Sequence, residues 1–458
     1  MLMSVVPRVL IDRYRCPDSL LNLTIQDDIA DDAGFFRFGP KTICYGRSAV
    51  GYRRRRVGPA LYDVAQDVTL EDGEVCLPFD PTEIVDNLRL ERYRGAEDSW
   101  IRTNARRAYY FVRPALSGSV RTQIQKFQLR GWRKLVFPSW PVDRTVENIC
   151  EHLLLSVLRA AGADRIPFIW FWPEGNASCF VMTHDVETET GKAFCSDLMD
   201  IDDSYGIKAS FQLVPEGSYS IPKDFLAAIR DRGFEIAIQD LNHDGRLYDE
   251  RNDFLQRASL INRYATEYGA KGFRAAVLYR RPEWYDALNF SFDMSIPNTA
   301  HLDPQRGGCC TVMPYFIGNI LELPVTTTQD YMLYHLLGSQ SIELWERQIE
   351  LILDKNGLVS FIAHPDYVMQ DTMKALYKNL LSCLREHQAA RKIWMALPSD
   401  VDRWWRARNE MQLVQTGNRW HIEGKDADRA VLAYARNVDG RLAYELEPTL
   451  THSASGSS

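Results

Sequence analysis

Side chains able to bind cations and move protons recur in this chain directly after apolar runs. Val181-Met182-Thr183-His184-Asp185-Val186-Glu187 ends one such run, Gln239-Asp240-Leu241-Asn242-His243-Asp244 follows another, and Arg274, Asp293 and His364-Pro365-Asp366 sit on three more. Buried carboxylates are costly unless they are paired, hydrogen-bonded or bound to a cation. Taken together, the set supplies what metal-assisted hydrolysis needs: oxygen and nitrogen ligands, a base to take a proton from water, and an acid for the leaving group. Singly, each has a plainer reading. Asp185 or Glu187 alone is a helix cap, His243 a loop histidine, Arg274 an ion-pair partner.

The elements that must carry these residues follow from the pattern. SCFVMT (178–183), KASFQLV (208–214), FEIAIQ (234–239), GFRAAV, FSFDMSI, LELPVTT, LVSFIAH and IWMALP read as strands. Between them lie helices over 222–233, entered at Pro222 and closed at Gly233, over 250–268 before Gly269, and over 341–354 and 370–388. Strands separated by helices pair in parallel through right-handed crossovers, so the expected class is α/β, an irregular (β/α)-barrel with its working residues at the C-terminal strand ends. The chain divides into an irregular N-terminal region (1–75), a mainly helical basic region (76–165), the barrel (166–400), a helix with a small antiparallel β appendage (401–448) and a disordered tail (449–458).

Composition bounds the function. At 458 residues, 45% of them apolar and 25% charged, the chain is long enough for one large domain with attachments. A net charge of -7 gives no ground for nucleic acid as a partner. Nine scattered cysteines with no C-x-x-C spacing argue against a disulfide framework or zinc knuckle and fit a reducing compartment. Adjacent Cys309 and Cys310 read as packed thiols, His301 as an exposed loop histidine, and Trp404-Trp405 as packing a terminal helix on the barrel. The first residues are too short and broken an apolar run for a signal peptide, so the expected location is cytoplasmic. One segment departs from the balance. From 99 to 142 there is no acidic residue, while Arg102, Arg106, Arg107, Arg113, Arg121, Lys126, Arg130, Arg133 and Lys134 accumulate beside apolar residues and Trp132 and Trp140. Such a segment packs on the next domain or lies on an anionic membrane, so 102–134 is a candidate peripheral membrane contact.

Residues 178–370 resemble the NodB-homology polysaccharide deacetylases, carbohydrate esterase family four. The family motif T-F-D-D resembles Thr183-His184-Asp185-Val186, H-S/T-x-x-H resembles Gln239 through His243, and R-x-P-aromatic resembles Arg274-Ala275-Ala276-Val277. An aspartate-bearing strand matches Phe292-Asp293, and a strand ending in histidine matches Phe361-Ile362-Ala363-His364. The wider run looks like a bacterial branch linked with surface-polysaccharide synthesis. The resemblance implies removal of N-acetyl groups from a saccharide with a divalent metal, zinc or similar. It implies Asp185 as base, His364 as acid, Arg274 holding the base ionised and Asp293 supporting them. Gln239 stands where the family has a metal-binding histidine, Val186 where it has an aspartate, and Ala276 where it has a proline. The metal would then rest on His243 with Glu187 or Asp185, and Asp240, Tyr315 and Tyr367 would contact the saccharide. The alternative is a saccharide-binding relative that has lost turnover.

Overall fold

The computed structural model describes residues 3–4, 7–49, 53–94, 123–124, 126–127 and 129–447. Its centre is a nine-stranded curled sheet. The strands are β1 (Ser178–Val186), β2 (Ala209–Leu213), β3 (Glu235–Gln239), β4 (Gly272–Arg274), β5 (Phe292–Asp293), β6 (Tyr315–Ile317), β7 (Ile320–Glu322), β8 (Leu358–Ala363) and β9 (Ile393–Met395). They lie in the order β6-β7-β5-β4-β3-β2-β1-β8, with β9 also on β1. All pairs are parallel except the β6–β7 hairpin. β8 runs along residues 179–184 of β1, while β9 takes 178–180 and β2 takes 182–186, so β1 is covered on both edges and all nine of its residues are buried.

Helices pack outside this sheet: α1 (Glu189–Ser204), α2 (Lys223–Asp231), α3 (Arg251–Tyr268), α4 (Glu343–Leu353) and α5 (Asp371–Arg391). α3 ends where Gly269 turns left-handed at φ +58°, a conformation that a residue without Cβ adopts at little cost. Beneath the helices, one apolar cluster unites Phe180, Met182, Phe211, Ile236, Ile238 and Phe273; on the opposite face a second unites Cys179, Val181, Ala237, Phe292 and Leu321. The period-two alternation of strand side chains produces this division.

No backbone ladder joins β7 to β8. The chain after β7 reaches β8 through hydroxyl groups instead. Thr326 Oγ1 accepts from the Ser360 backbone N–H at 2.9 Å and donates to the Leu358 carbonyl at 2.8 Å, and Thr327 Oγ1 donates to the Ser360 carbonyl at 2.7 Å. The barrel is irregular because part of its circumference is a seam of threonines.

Several expected strands are shorter than their sequences suggested. GFRAAV pairs only over Gly272–Arg274, because Val277 and Leu278 turn to positive φ and the chain leaves the sheet. Residues 1–75, read as irregular, contain short strands at Leu23–Ile25, Gly34–Arg37, Ile43–Gly46 and Thr69–Glu71. Within 76–165 the long described helix is Thr145–Ala160, and the basic stretch from 102 to 122 lies wholly outside the described residues. The C-terminal hairpins are Gln412–Thr416 with Arg419–Glu423 and Leu432–Val438 with Arg441–Leu446. The second is not free-standing: Leu432–Arg436 pairs with Arg165–Ile169, just before β1. Residues 449–458 are outside the described part. Trp404 and Trp405 are buried, as expected of a helix packed on the barrel.

Candidate active site at the C-terminal strand ends

Strand alternation decides which polar residues of β1 reach the barrel interior. Thr183 and Asp185 point inward. His184 points the other way, where its Nε2 lies 2.8 Å from Asp202 of α1, and that aspartate also accepts from Tyr377 of α5 at 2.7 Å. His184 is thus a structural tie between β1 and two helices. Val186 is fully buried in the outer core and contributes only its carbonyl, which accepts from Tyr219 at 2.6 Å.

On the inner face, Arg274 at the end of β4 places Nη1 2.5 Å from Asp185 Oδ1 and 2.8 Å from Thr183 Oγ1, while its Nε donates to the Met294 carbonyl at 3.0 Å. The ion pair is buried and forked through one nitrogen, which fixes Asp185 in direction. Its second oxygen faces Gln239 of β3. The Gln239 amide Nε2 donates at 3.2 Å to Asp185 Oδ2 and at 3.2 Å to Glu187 Oε1. The residue read as a missing ligand is therefore a bridge between two carboxylates.

Glu187 is the hub. Its Oε1 lies 2.8 Å from His243 Nε2 and 3.5 Å from His364 Nε2. Burial pushes the Glu187 carboxyl up, but the two imidazoles more than offset this and hold it well below the usual range. His364, at the end of β8, is gripped from behind by Asp330: Nδ1 to Oδ1 is 2.6 Å, and the His364 backbone N–H donates to Oδ2 at 2.7 Å. Burial lowers the His364 imidazole, yet Asp330 and Glu187 outweigh it and raise it well above the ordinary histidine value. Tyr367 lies beside it, ring centroids 5.1 Å apart.

A metal ion suits this donor set. Asp185, Glu187 and His364 each offer a ligand atom, all within 4.8 Å of one another. The His243 imidazole extends the set to two carboxylates and two nitrogens, the mixture that zinc and similar divalent ions accept. Around it, Gln239 Oε1, Asp240 Oδ2 and Arg274 Nη2 are buried with no partner among the described residues, so the rim retains polar capacity that a ligand would use.

The structure brings together Asp185, Glu187, His243, Arg274, His364 and Tyr367, with Asp240 adjoining. Asp240 holds a left-handed φ of +53° and its Oδ1 accepts from the Leu241 backbone at 2.7 Å; burial raises its carboxyl. Two expected residues are elsewhere. Asp293 points to the outer face of β5, opposite to the cluster, and accepts from Tyr285 at 3.0 Å and from Ser295 at 2.7 Å. It is in register with Glu322 of β7, and burial with the mutual proximity of the two carboxyls raises Glu322 well above the usual range. Tyr315 is buried, its hydroxyl donating to the Arg89 carbonyl at 3.1 Å. Asp366 turns back to α1: it accepts from Thr188, and a Cβ at Gly191 would collide with its Oδ2. Asp244 forks onto Arg257 at 2.9 Å through both oxygens. His301, read as exposed, is buried with its ring 5.4 Å from Trp140. Cys309 and Cys310 are free, buried thiols.

Asp330 is the residue that sequence reasoning missed. Its signal was the polar run Thr326-Thr327-Thr328-Gln329-Asp330 at the end of LELPV, one more strand end with a carboxylate.

No protein-family model and no curated protein matches the chain. Solved structures do, over about half its length. A Mycobacterium smegmatis protein described as a polysaccharide deacetylase is 18% identical, with 54% of this chain and 96% of that one covered and a TM-score of 0.43. The peptidoglycan deacetylase PdaC of Bacillus subtilis gives 9%, 51%, 93% and 0.31. Puue allantoinase gives 13%, 51%, 92% and 0.38. Several neighbours are thus deacetylases, at low identity. At these scores the likeness is a likeness only, and the reaction is argued from the residues.

Proposed function

We propose that the chain is a hydrolase that removes N-acetyl groups from a saccharide, with a divalent cation as cofactor. The observation that carries this reading is the convergence on Asp185 and Glu187, at the end of β1, of two histidines and an arginine from three other strand ends. Glu187 and His243 would hold the cation, with Asp185 beside them. When bound, it polarises the amide carbonyl and makes water a nucleophile near neutral pH.

The chain's own residues do the rest. Arg274 fixes Asp185 through Oδ1, so that Oδ2, which Gln239 contacts at 3.2 Å, faces the interior and takes the proton of the attacking water. His364 presents Nε2 to the same space because Asp330 occupies Nδ1, and it gives a proton to the departing amine nitrogen as the C–N bond breaks. Tyr367 lines the mouth beside His364, and Asp240 supplies an acceptor for a sugar hydroxyl. The products are acetate and a free amino sugar. The setting we favour is bacterial surface or exopolysaccharide metabolism.

One observation favours a second reading, a saccharide-binding protein without turnover: the Gln239 amide already satisfies both carboxylates that a cation would need. Elemental mass spectrometry of the purified protein with acetate release from N-acetylated oligosaccharides separates the two. Near one equivalent of zinc, cobalt or nickel, lost in His243→Ala but kept in His364→Ala, with turnover lost in both, supports the enzyme. Absence of metal even after it is supplied in excess supports the binding protein.

A further inference from the structure

Three of the large apolar side chains most exposed among the described residues belong to one short stretch. Phe127, Leu135 and Val136 are 68%, 41% and 63% exposed. Lys126, Arg130, Arg133 and Lys134 stand among them, and no acidic residue occurs from 99 to 142. Two of the cations lie on neighbouring rings, Arg130 at 5.6 Å from Phe127 and Arg133 at 5.2 Å from Trp132. Apolar groups left in water beside positive charge mark a surface that meets something both apolar and anionic.

The stretch is fastened to the mouth of the barrel. Beyond it, Trp140 packs on Trp132 at 5.0 Å and on His301 at 5.4 Å. Gln348 of α4 donates to the Pro141 carbonyl at 3.0 Å, and Asn298, on the loop after β5, donates to the Asp143 carbonyl at 2.7 Å. Trp140 also lines one small cavity with Thr328 and Gln329, the residues just before the Asp330 that holds His364. Met369, two positions beyond Tyr367, is itself 38% exposed. The patch therefore borders the rim that holds His364.

We propose that Lys126, Phe127 and residues 129–136 dock the chain on an anionic lipid bilayer, Phe127, Leu135 and Val136 entering the headgroup layer and the basic residues meeting lipid phosphates, with the site mouth held at the membrane surface. Charge selects this occupant. A second copy meeting through the same face would set the same cations against themselves, whereas a bilayer supplies phosphate and hydrocarbon together. No described helix is long and apolar enough to cross a membrane, so the attachment is peripheral. Resting on the deacetylase reading, this placement would suit a saccharide carried on a lipid; the docking itself does not depend on turnover.

The test is sedimentation of the full chain with phosphatidylglycerol-containing vesicles and with pure phosphatidylcholine vesicles, at low and high salt. Expected are binding to the anionic vesicles that weakens with salt and little binding to phosphatidylcholine. The pair Arg133→Gln and Lys134→Gln should each weaken affinity about five-fold, the value of one basic residue at such a surface. The pair Phe127→Ser and Val136→Ser should weaken it further at high salt, where insertion outlasts Coulomb attraction. All four side chains are surface groups, and unchanged circular dichroism and metal content serve as folding controls. Failure to sediment at low salt, or equal binding by both variants, overturns the proposal. So does capture by soluble polyglutamate that the serine variants leave intact while vesicles are ignored.

Discussion

Asp330 holds His364 by two bonds, one to the imidazole Nδ1 at 2.6 Å and one to the backbone N–H at 2.7 Å. The carboxylate thereby fixes both the ring's tautomer and the strand end that carries it, and only Nε2 is left to face the cluster.

Replacing this carboxylate tests the arrangement. Asp330→Asn keeps the shape but removes the charge behind the ring, so turnover should fall by about 10- to 100-fold, the usual cost of losing such an outer partner. The ring should also change state: the His364 imidazole nitrogen shifts in NMR spectra would move toward the neutral form. Unchanged shifts with lost activity would assign Asp330 to the backbone alone.

Gln239→His should tighten zinc binding by about ten-fold or more, because imidazole replaces a neutral amide at a position already 3.2 Å from both carboxylates. Titration calorimetry reads this directly. Equal affinity in the two proteins would mean that residue 239 does not face the bound ion.

Asp303 gives a pH prediction away from the cluster. Burial pushes its carboxyl up to about 7, with Arg280 and Arg306 only partly offsetting this. A carboxyl raised in the folded state binds a proton there before it does in the unfolded chain. Its destabilising effect is therefore complete above pH ~7 and relieved as pH falls toward ~4. Asp303→Asn should stabilise the protein at pH 8, by up to a few kcal/mol, and by only about a third as much at pH 5. Urea denaturation at the two pH values measures it, and equal effects at both would contradict the assignment.

Thr326→Val should destabilise by about 1–3 kcal/mol, because it strands the buried Ser360 N–H without an acceptor. The isosteric change leaves packing intact, so a reduced urea midpoint with unaltered slope is the expected result.

The helices after β2 and the long strands were legible because their periodicity is sustained: α3 over 251–268 and β1 within 178–186 match the patterns that suggested them, whereas α1 over 189–204 was not among the expected helices. β4 and β5 were overread, since an apolar run does not reveal where φ turns positive, as at Val277. Asp185, Glu187, His243, Arg274 and His364 were found because each follows an apolar run. Asp293 follows one too, and fails because a strand's faces alternate: in a strand as short as Phe292–Asp293, sequence does not say which residue looks inward. Asp330 escaped for the opposite reason. It lies eight positions beyond the end of β7, on chain that follows the barrel wall through side-chain hydroxyls, and three residues past the apolar run LELPVTT that marked this strand end.

The threonine seam has one more implication. Asp330 belongs to the chain on one bank of it and His364 to the strand on the other, so their bond is itself a stitch across the join. Any opening there, by heat, denaturant or a substitution at Thr326 or Thr327, would uncouple the histidine before the parallel ladder is touched. Loss of the proposed turnover should then precede loss of secondary structure on heating, and the protein's working temperature would be set by a handful of hydroxyl groups rather than by its core.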